Sequence, residues 1–98
     1  MARYRVYRIG DGELVLDVQS NIVDGLDTRV VAPLVPIERA SKPADRLNPI
    51  FELDGSKHSM MTEFLSSVPA SMLHETGHEL TKEHDRIVAA LDMLFHGF

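Results

Sequence analysis

The sequence contains no cysteine and no tryptophan, and its only aromatic residues are two tyrosines and four phenylalanines. The absence of cysteine excludes disulfides and thiolate-bound zinc. No apolar run approaches the roughly 20 residues that a membrane-spanning helix needs. The N-terminal residues are basic, but no apolar signal segment follows them. We therefore expect a cytoplasmic protein without a membrane anchor.

Fifteen acidic residues outnumber ten lysines and arginines, which gives the chain a formal net charge of −5. The basic residues form no broad stripe, so the chain alone is not expected to bind nucleic acid strongly. An acidic surface suits a basic partner. The length of 98 residues, 44% of them hydrophobic, predicts one domain over residues 1–98 with a modest core. A dimer would bury additional surface.

The clearest predicted element is a helix over residues 82–98. Its apolar residues recur at the spacing of one helix face, and they are Ile87, Val88, Leu91, Leu94, Phe95 and Phe98. The hydroxyl of Thr81 is predicted to cap the start of the helix, and Gly97 is predicted to end it. Phe95 and Phe98 either complete the core or are presented to a partner by the anchored helix. The spacing leaves both interpretations open.

Strand signals dominate the first third of the chain. Residues 3–9 are rich in β-formers, and residues 14–19 alternate in a way that predicts a strand with one buried face. The turn Gly-Asp-Gly at residues 10–12 joins them into a hairpin. Residues 28–35 form a third predicted strand. Pro33 cannot donate to a ladder, so it indicates a sheet edge, a bulge or a strand end.

The segments between these strands and the helix are mostly short. Residues 20–27 form a loop in which the apolar pair Ile22 and Val23 is either tucked under or used for contact. Residues 38–48 form a charged loop. A hairpin around Asp54-Gly55 is predicted from residues 49–53 and 58–64.

Residues 66–69 are predicted to turn the chain, and residues 70–73 remain ambiguous. Several short strands with turn signals, followed by one helix, are typical of a small and mostly antiparallel β barrel with a helix attached.

Residues 74–78, His-Glu-Thr-Gly-His, match the H-E-x-x-H pattern of zinc peptidases. His84 even falls at the offset of a third ligand. Two features oppose a zinc site. Gly77 would lie inside the required helix, where glycine costs about 1 kcal/mol relative to alanine, and Thr81 occupies the glycine position of the longer pattern. We interpret the segment as a solvated surface, with no metal site and no catalytic set.

Short segments in a fixed order run through nearly the whole chain. They are Val6-Tyr7, Asp17-Val18-Gln19-Ser20 followed by Ile22, Pro33-Leu34, Met60-Met61-Thr62, Ser67-Val68-Pro69, and the terminal helix from Ile87 through Phe95 to Gly97. Together they resemble the CcdB-type toxins of toxin–antitoxin modules, which poison DNA gyrase. The pairing of the DVQS segment with the MMT and SVP segments carries most of the resemblance.

The resemblance implies a fold and a mode of action. The fold is an SH3-like barrel with a small extra sheet and a C-terminal α-helix, which forms a homodimer. The dimer enters the A-subunit dimer of gyrase and traps the enzyme on cleaved DNA, without catalysis and without a cofactor. A CcdA-type antitoxin neutralises such a toxin. The toxin–antitoxin complex represses its operon through the DNA-binding domain of the antitoxin, and such modules serve plasmid maintenance.

The resemblance also implies which residues contact gyrase. They are Ile22, Val23, Asp92, Phe95, His96, Gly97 and Phe98. Three of them depart from the family pattern, which has tryptophan at His96, asparagine at Asp92 and an aliphatic residue at Phe98. The family tryptophan stacks on an arginine of gyrase, a contact worth about 0.5–2 kcal/mol, and neutral histidine is a smaller substitute.

Two enzymatic alternatives stay open at this point. MazF-type endoribonucleases share the barrel, and RNA cleavage needs a basic surface with a positioned acid–base pair. Arg3, Arg5 and Arg8 near Asp17 could form one, although alternation on a solvated strand also explains them. The other alternative is the zinc peptidase suggested by residues 74–78.

Overall fold

The computed structural model describes residues 2–10, 12–23 and 25–98. The strands are β1 (Arg5–Ile9), β2 (Glu13–Asp17), β3 (Thr28–Pro36), β4 (Ile50–Leu53), β5 (Ser56–Met60), β6 (Ser66–Pro69) and β7 (Leu73–Glu79). One α-helix, α1, spans His84–His96. Short 3₁₀ turns cover Asn21–Val23, Thr62–Phe64, Ala70–Met72 and Thr81–Glu83.

All seven strands belong to one antiparallel sheet with the order β4-β5-β3-β2-β1-β7, from which β6 branches by pairing with β3. The sheet curls around a core to which α1 contributes Ile87 and Ala90. The predicted mostly β fold, an SH3-like barrel with a C-terminal helix, is therefore confirmed. In the described part of the chain, no helix is long and apolar enough to cross a membrane.

Strand β3 changes its partner halfway along. Its first half, Thr28 to Val31, pairs with β6, and its last residues, Leu34 to Pro36, pair with β5. Pro33 lies between the two pairings, and its carbonyl accepts a hydrogen bond from Met61 N–H at 2.8 Å. The N and the carbonyl of one residue face the same side of a strand, so the missing N–H of Pro33 faces Met61, whose carbonyl accepts from Phe64 N–H at 2.9 Å instead.

The first hairpin buries both of its faces, which corrects the prediction of one buried face. Val6 and Leu16 are cross-strand partners in the main core beneath α1. Tyr7 and Val15, the next pair along, belong to a second buried cluster on the opposite face. Alternate residues of a strand point to opposite faces, so Asp17 lies on the same face of β2 as Val15. The second cluster therefore lies on the face that also carries the buried side chain of Asp17.

Asp17 and Arg29 form an ion pair that is completely removed from water. The Nε of Arg29 donates to one carboxylate oxygen at 2.7 Å, and its Nη2 donates to the other at 3.0 Å. The two side chains are 0% and 1% exposed. The backbone N–H of Gln19 also donates to Asp17, at 3.0 Å. This bidentate geometry is the strongest form of arginine–carboxylate contact, and it joins β2 to β3.

Two hairpin predictions are confirmed with shorter strands. Asp54 and Gly55 both have positive φ, +52° and +78°, as the tight turn between β4 and β5 requires. Strand β1 begins at Arg5, because the backbone of Tyr4 is left-handed with φ +71°. In the predicted turn at residues 10–12, Gly12 N–H donates to the Ile9 carbonyl, and Asp11 lies outside the described residues.

Two sequence predictions are wrong. Residues 66–69 form the strand β6 instead of a turn, because the first half of β3 offers them a pairing edge. Thr81 does not cap the helix. It opens a 3₁₀ turn, and its N–H donates to the carboxylate of Glu79, so that α1 begins only at His84. The ambiguous residues 70–73 form a 3₁₀ turn and the start of β7.

We expect Asp17→Ala to lower the free energy of unfolding by about 3–5 kcal/mol, because it leaves the guanidinium of Arg29 buried without its counter-charge. Urea unfolding measures the change. The double variant Asp17→Leu with Arg29→Met removes both charges and should lose much less than the single change. A double variant as unstable as Asp17→Ala would contradict this account.

Burial raises the pKa of both tyrosines above the ordinary value of 10.0, although Arg3 opposes the rise at Tyr4 and the Ala2 N–H opposes it at Tyr7. Because the folded pKa values exceed the unfolded ones, this contribution to stability is complete below pH 10.0 and is lost as the pH rises through the folded values. Absorbance titration of the tyrosinates is unobstructed, since the chain has no tryptophan. Two midpoints at or below 10.0 would contradict the burial of these rings.

Candidate functional site

The end of α1 carries an exposed aromatic surface. Phe95 and Phe98 are 63% and 75% exposed, although the helical spacing places them in line with buried residues. The helix fully buries only Ile87 and Ala90, and burial decreases from there to the end of the helix. Of the two interpretations that the sequence left open, the structure therefore places both rings at the surface and neither in the core.

Gly97 determines how the last residues leave the helix. Its φ of +79° is left-handed, and its N–H donates to the carbonyls of Asp92 and Met93. This confirms Gly97 as the residue that ends α1. The turn brings the ring of Phe98 near that of His96, with centroids 6.1 Å apart and planes inclined by 34°. The two rings form one continuous aromatic patch.

The loop between β2 and β3 exposes a second apolar group. Ile22 is 93% exposed, and Val23 and Leu26 are also exposed large apolar residues. The 3₁₀ turn Asn21–Val23 buries no residue at all. The structure therefore opposes the tucked interpretation of the Ile22-Val23 pair, and their use for contact stays a prediction. Leu26 did not stand out in the sequence, because a single apolar residue in a loop is common.

The seven residues implied by the resemblance thus fall into two groups. Ile22 and Val23 form the loop group, and a helix-end group contains Asp92, Phe95, His96, Gly97 and Phe98. Hydrogen bonds and ring contacts within the described residues join members of the helix-end group to one another but do not join the two groups. Apolar rings with one exposed carboxylate, on Asp92, are suited to recognition by contact.

Gln19 connects the loop group to the sheet. Its side-chain Nε2 donates to the Val23 carbonyl at 2.8 Å, and its Oε1 accepts from Val30 N–H at 3.0 Å. The residue itself is buried. Sequence alternation shows that Gln19 and Asp17 share a face, but only their partners on β3 reveal that this face is buried.

The structure opposes the ribonuclease alternative, because the proposed acid–base pair is not available to a substrate. Asp17 is fully buried and bound to Arg29, so no substrate can reach it. The three arginines already have partners within the chain: Arg3 stacks 4.7 Å from the ring centre of Tyr4, Arg5 pairs with Glu75 at 3.2 Å, and Arg8 donates to the Gly12 carbonyl at 2.7 Å. These contacts support the simpler explanation of solvated strand residues.

The H-E-x-x-H segment lies on the strand β7 and not on a helix. Four residues of a strand span about 13 Å, so His74 and His78 cannot chelate one ion as they would across a helical turn. His78 Nε2 lies 3.0 Å from a carboxylate oxygen of Asp54, and His84 Nδ1 lies 2.6 Å from the hydroxyl of Tyr4. Across residues 2–10, 12–23 and 25–98, no group of three or more potential ligands could hold a metal ion.

A model of one protein family, described as "CcdB protein", matches residues 3–97 of the 98-residue chain. The match covers every strand and the whole of α1. It includes both groups of implied contact residues except for Phe98. The family match therefore agrees with the resemblance that the short sequence segments carry.

We expect Phe95→Ala to change the free energy of unfolding by less than about 1 kcal/mol, because the ring is mostly exposed. Ile87→Ala, on the same helix, removes a fully buried side chain and should lower it by about 2–5 kcal/mol. Urea unfolding of the two variants measures the contrast. Equal losses of stability would place Phe95 in the core and contradict the exposed surface.

Proposed function

Because the chain belongs to the CcdB family, whose members are toxins of toxin–antitoxin modules, we propose that it binds the A subunit of DNA gyrase and traps the enzyme on cleaved DNA. The toxin acts by contact and performs no chemistry of its own. The observation that carries the proposal is the exposed aromatic surface at the end of α1, in a chain that matches this family. Exposed apolar patches of this kind are typical of protein interaction sites.

The chemistry of the two groups supports recognition of a protein target. Aromatic side chains are enriched at protein interfaces because they bury large area at little conformational cost. Phe95 and Phe98 offer two such rings, and Ile22 offers an aliphatic contact from the loop. The left-handed turn at Gly97 fixes the path of the chain before binding, which limits the entropy lost on association.

His96 replaces the tryptophan of the family pattern, and Phe98 compensates for part of the lost area. The imidazole of His96 and the phenyl ring of Phe98, with centroids 6.1 Å apart, together present an aromatic face to the arginine on which the family tryptophan stacks. Asp92, in place of the family asparagine, adds a carboxylate that can pair with a basic residue of the target. These departures adapt the surface to the gyrase of its own host.

The proposed partners follow from the family. A homodimer presents the same patch twice to a two-fold target, and a net charge of −5 favours approach to a basic cavity that handles DNA. A CcdA-like antitoxin neutralises the toxin, and the complex represses their operon with the antitoxin contacting the operator DNA. The toxin requires no cofactor and works in the cytoplasm, where gyrase works.

We expect purified protein to make gyrase from its own host convert supercoiled plasmid into linear DNA, in the presence and absence of ATP. Phe98→Ala and His96→Ala should each weaken this trapping by about tenfold, since truncation of interface anchors typically costs 1–2 kcal/mol or more. Agarose gels after detergent and protease treatment quantify the linear product. Phe64→Ala is the control for the loss of an exposed phenyl ring, because Phe64 is 62% exposed and lies in the 3₁₀ turn Thr62–Phe64, which packs beside α1 but belongs to neither group.

Gyrase from a standard laboratory bacterium, assayed in parallel, separates two explanations of the departures. Trapping of the host enzyme alone means that His96 and Phe98 are adapted to that host. Trapping of both enzymes means that the family tryptophan is dispensable. A well-folded protein that traps neither leaves the family fold intact and removes the proposed function. The same preparation should leave mRNA intact, which distinguishes it from an endoribonuclease.

A further inference from the structure

The turn that displays Ile22 and Val23 is not anchored by apolar packing. This 3₁₀ turn, Asn21–Val23, buries no residue, so hydrophobic burial does not hold it in place. Two bonds to Ser20 are local: Ile22 N–H donates to its hydroxyl at 3.2 Å and Val23 N–H to its carbonyl at 3.1 Å. These bonds shape the turn but do not attach it to the sheet.

Two side-chain hydrogen bonds attach the turn to the rest of the described chain. One joins the exposed Asn21 carboxamide to Arg3 N–H at 2.8 Å. The other is the bond from buried Gln19 to the Val23 carbonyl at 2.8 Å. Hydrogen bonds at exposed sites compete with water, so the partly buried bond from Gln19 contributes more to the position of the turn than the exposed bond from Asn21.

The orientation of the Gln19 amide is fixed by its two partners. The Val23 carbonyl can only accept, and the Val30 N–H can only donate, so Nε2 must face the loop and Oε1 must face β3. The backbone N–H of Gln19 donates to the Asp17 carboxylate, and the guanidinium of Arg29 donates two hydrogen bonds to the same carboxylate. The Gln19 carboxamide therefore links β3 to the loop through two hydrogen bonds of fixed direction.

We propose that Gln19 is a positioning residue for target binding: it holds Ile22 and Val23 in the geometry in which they contact gyrase, without touching gyrase itself. This inference rests on the proposed function. Pre-positioning matters because a loop that must be ordered on binding lowers affinity by the cost of ordering it. Gln19 removes that cost before the target arrives.

The test uses Gln19→Glu in the full-length protein. The new carboxylate still accepts from Val30 N–H but cannot donate to the Val23 carbonyl. Amide hydrogen exchange should therefore accelerate at Ile22 and Val23 by about five- to tenfold, the effect of one lost hydrogen bond, while Val30 stays protected. Below the pKa of the new carboxyl, its O–H can donate again. Loop exchange should then return toward the wild-type rate measured at the same pH.

Gln19→Met is the second variant, because it removes both bonds without introducing a charge. It should accelerate exchange at Val30 as well as in the loop. Asn48→Asp is the matched control, since Asn48 is a second buried carboxamide that donates to the Met60 carbonyl at 3.1 Å and serves a different loop. The variant still accepts from Ala44 N–H but loses the donated bonds to the Met60 carbonyl and the Glu63 carboxylate, so its exchange defects should be confined to residues near 44–48 and 60–65 and leave the turn Asn21–Val23 unchanged.

Gyrase affinity supplies the functional measurement. Gln19→Glu should bind the gyrase A subunit about fivefold more weakly, and this loss should shrink when Ile22→Ala is already present, because the two residues act through the same contact. Unchanged loop exchange, or a loss of affinity that adds fully to that of Ile22→Ala, overturns the positioning role. Wild-type protein that fails to bind gyrase, but whose loop exchange responds as expected, identifies the failure as that of the proposed function.

Discussion

The ion pair between Asp17 and Arg29 is the interaction on which the arrangement of the sheet depends. It joins the end of β2 to the start of β3, away from water, so neither charge is tolerable without the other. Because Asp17 also accepts the N–H of Gln19, the pair determines where β2 ends and how the following loop departs. A polar network of this kind specifies one register of the two strands, since slipping by one residue would separate the charges.

The two exposed groups differ in how they are held. The helix-end group follows an α-helix whose first turns are packed against the core through Ile87 and Ala90, so its position follows from burial. The loop group is held by hydrogen bonds alone, through Gln19 and its neighbours. A toxin that recognises its target by contact needs both groups in fixed positions. The buried network provides for the loop what apolar packing provides for the helix.

Local patterns predicted much of the fold. The first hairpin, the Asp54-Gly55 hairpin, α1 and its end at Gly97 all depend on residues close in sequence. Two of the failures involve distant partners, whereas the failure of Thr81 to cap α1 involves its neighbour Glu79. Residues 66–69 became a strand because β3 offers an edge some 37 residues earlier in the chain (Val30 pairs with Ser67), and Asp17 became buried because Arg29 lies beside it on the next strand. Helical spacing placed Phe95 on the correct face but could not reveal that the core stops short of it.

The contacts that complete the fold join the two ends of the chain. Strand β1 pairs on its outer side with β7, and the hydroxyl of Tyr4 bonds to His84, 80 residues later. Such contacts require closure of a loop nearly as long as the protein before they contribute any stability, which slows folding. During synthesis on the ribosome, one edge of β1 stays unpaired until residues 73–84 have left the exit tunnel. The fold can therefore be completed only after residues 73–84 have been translated, which leaves an interval in which an antitoxin already present can meet the incompletely folded toxin.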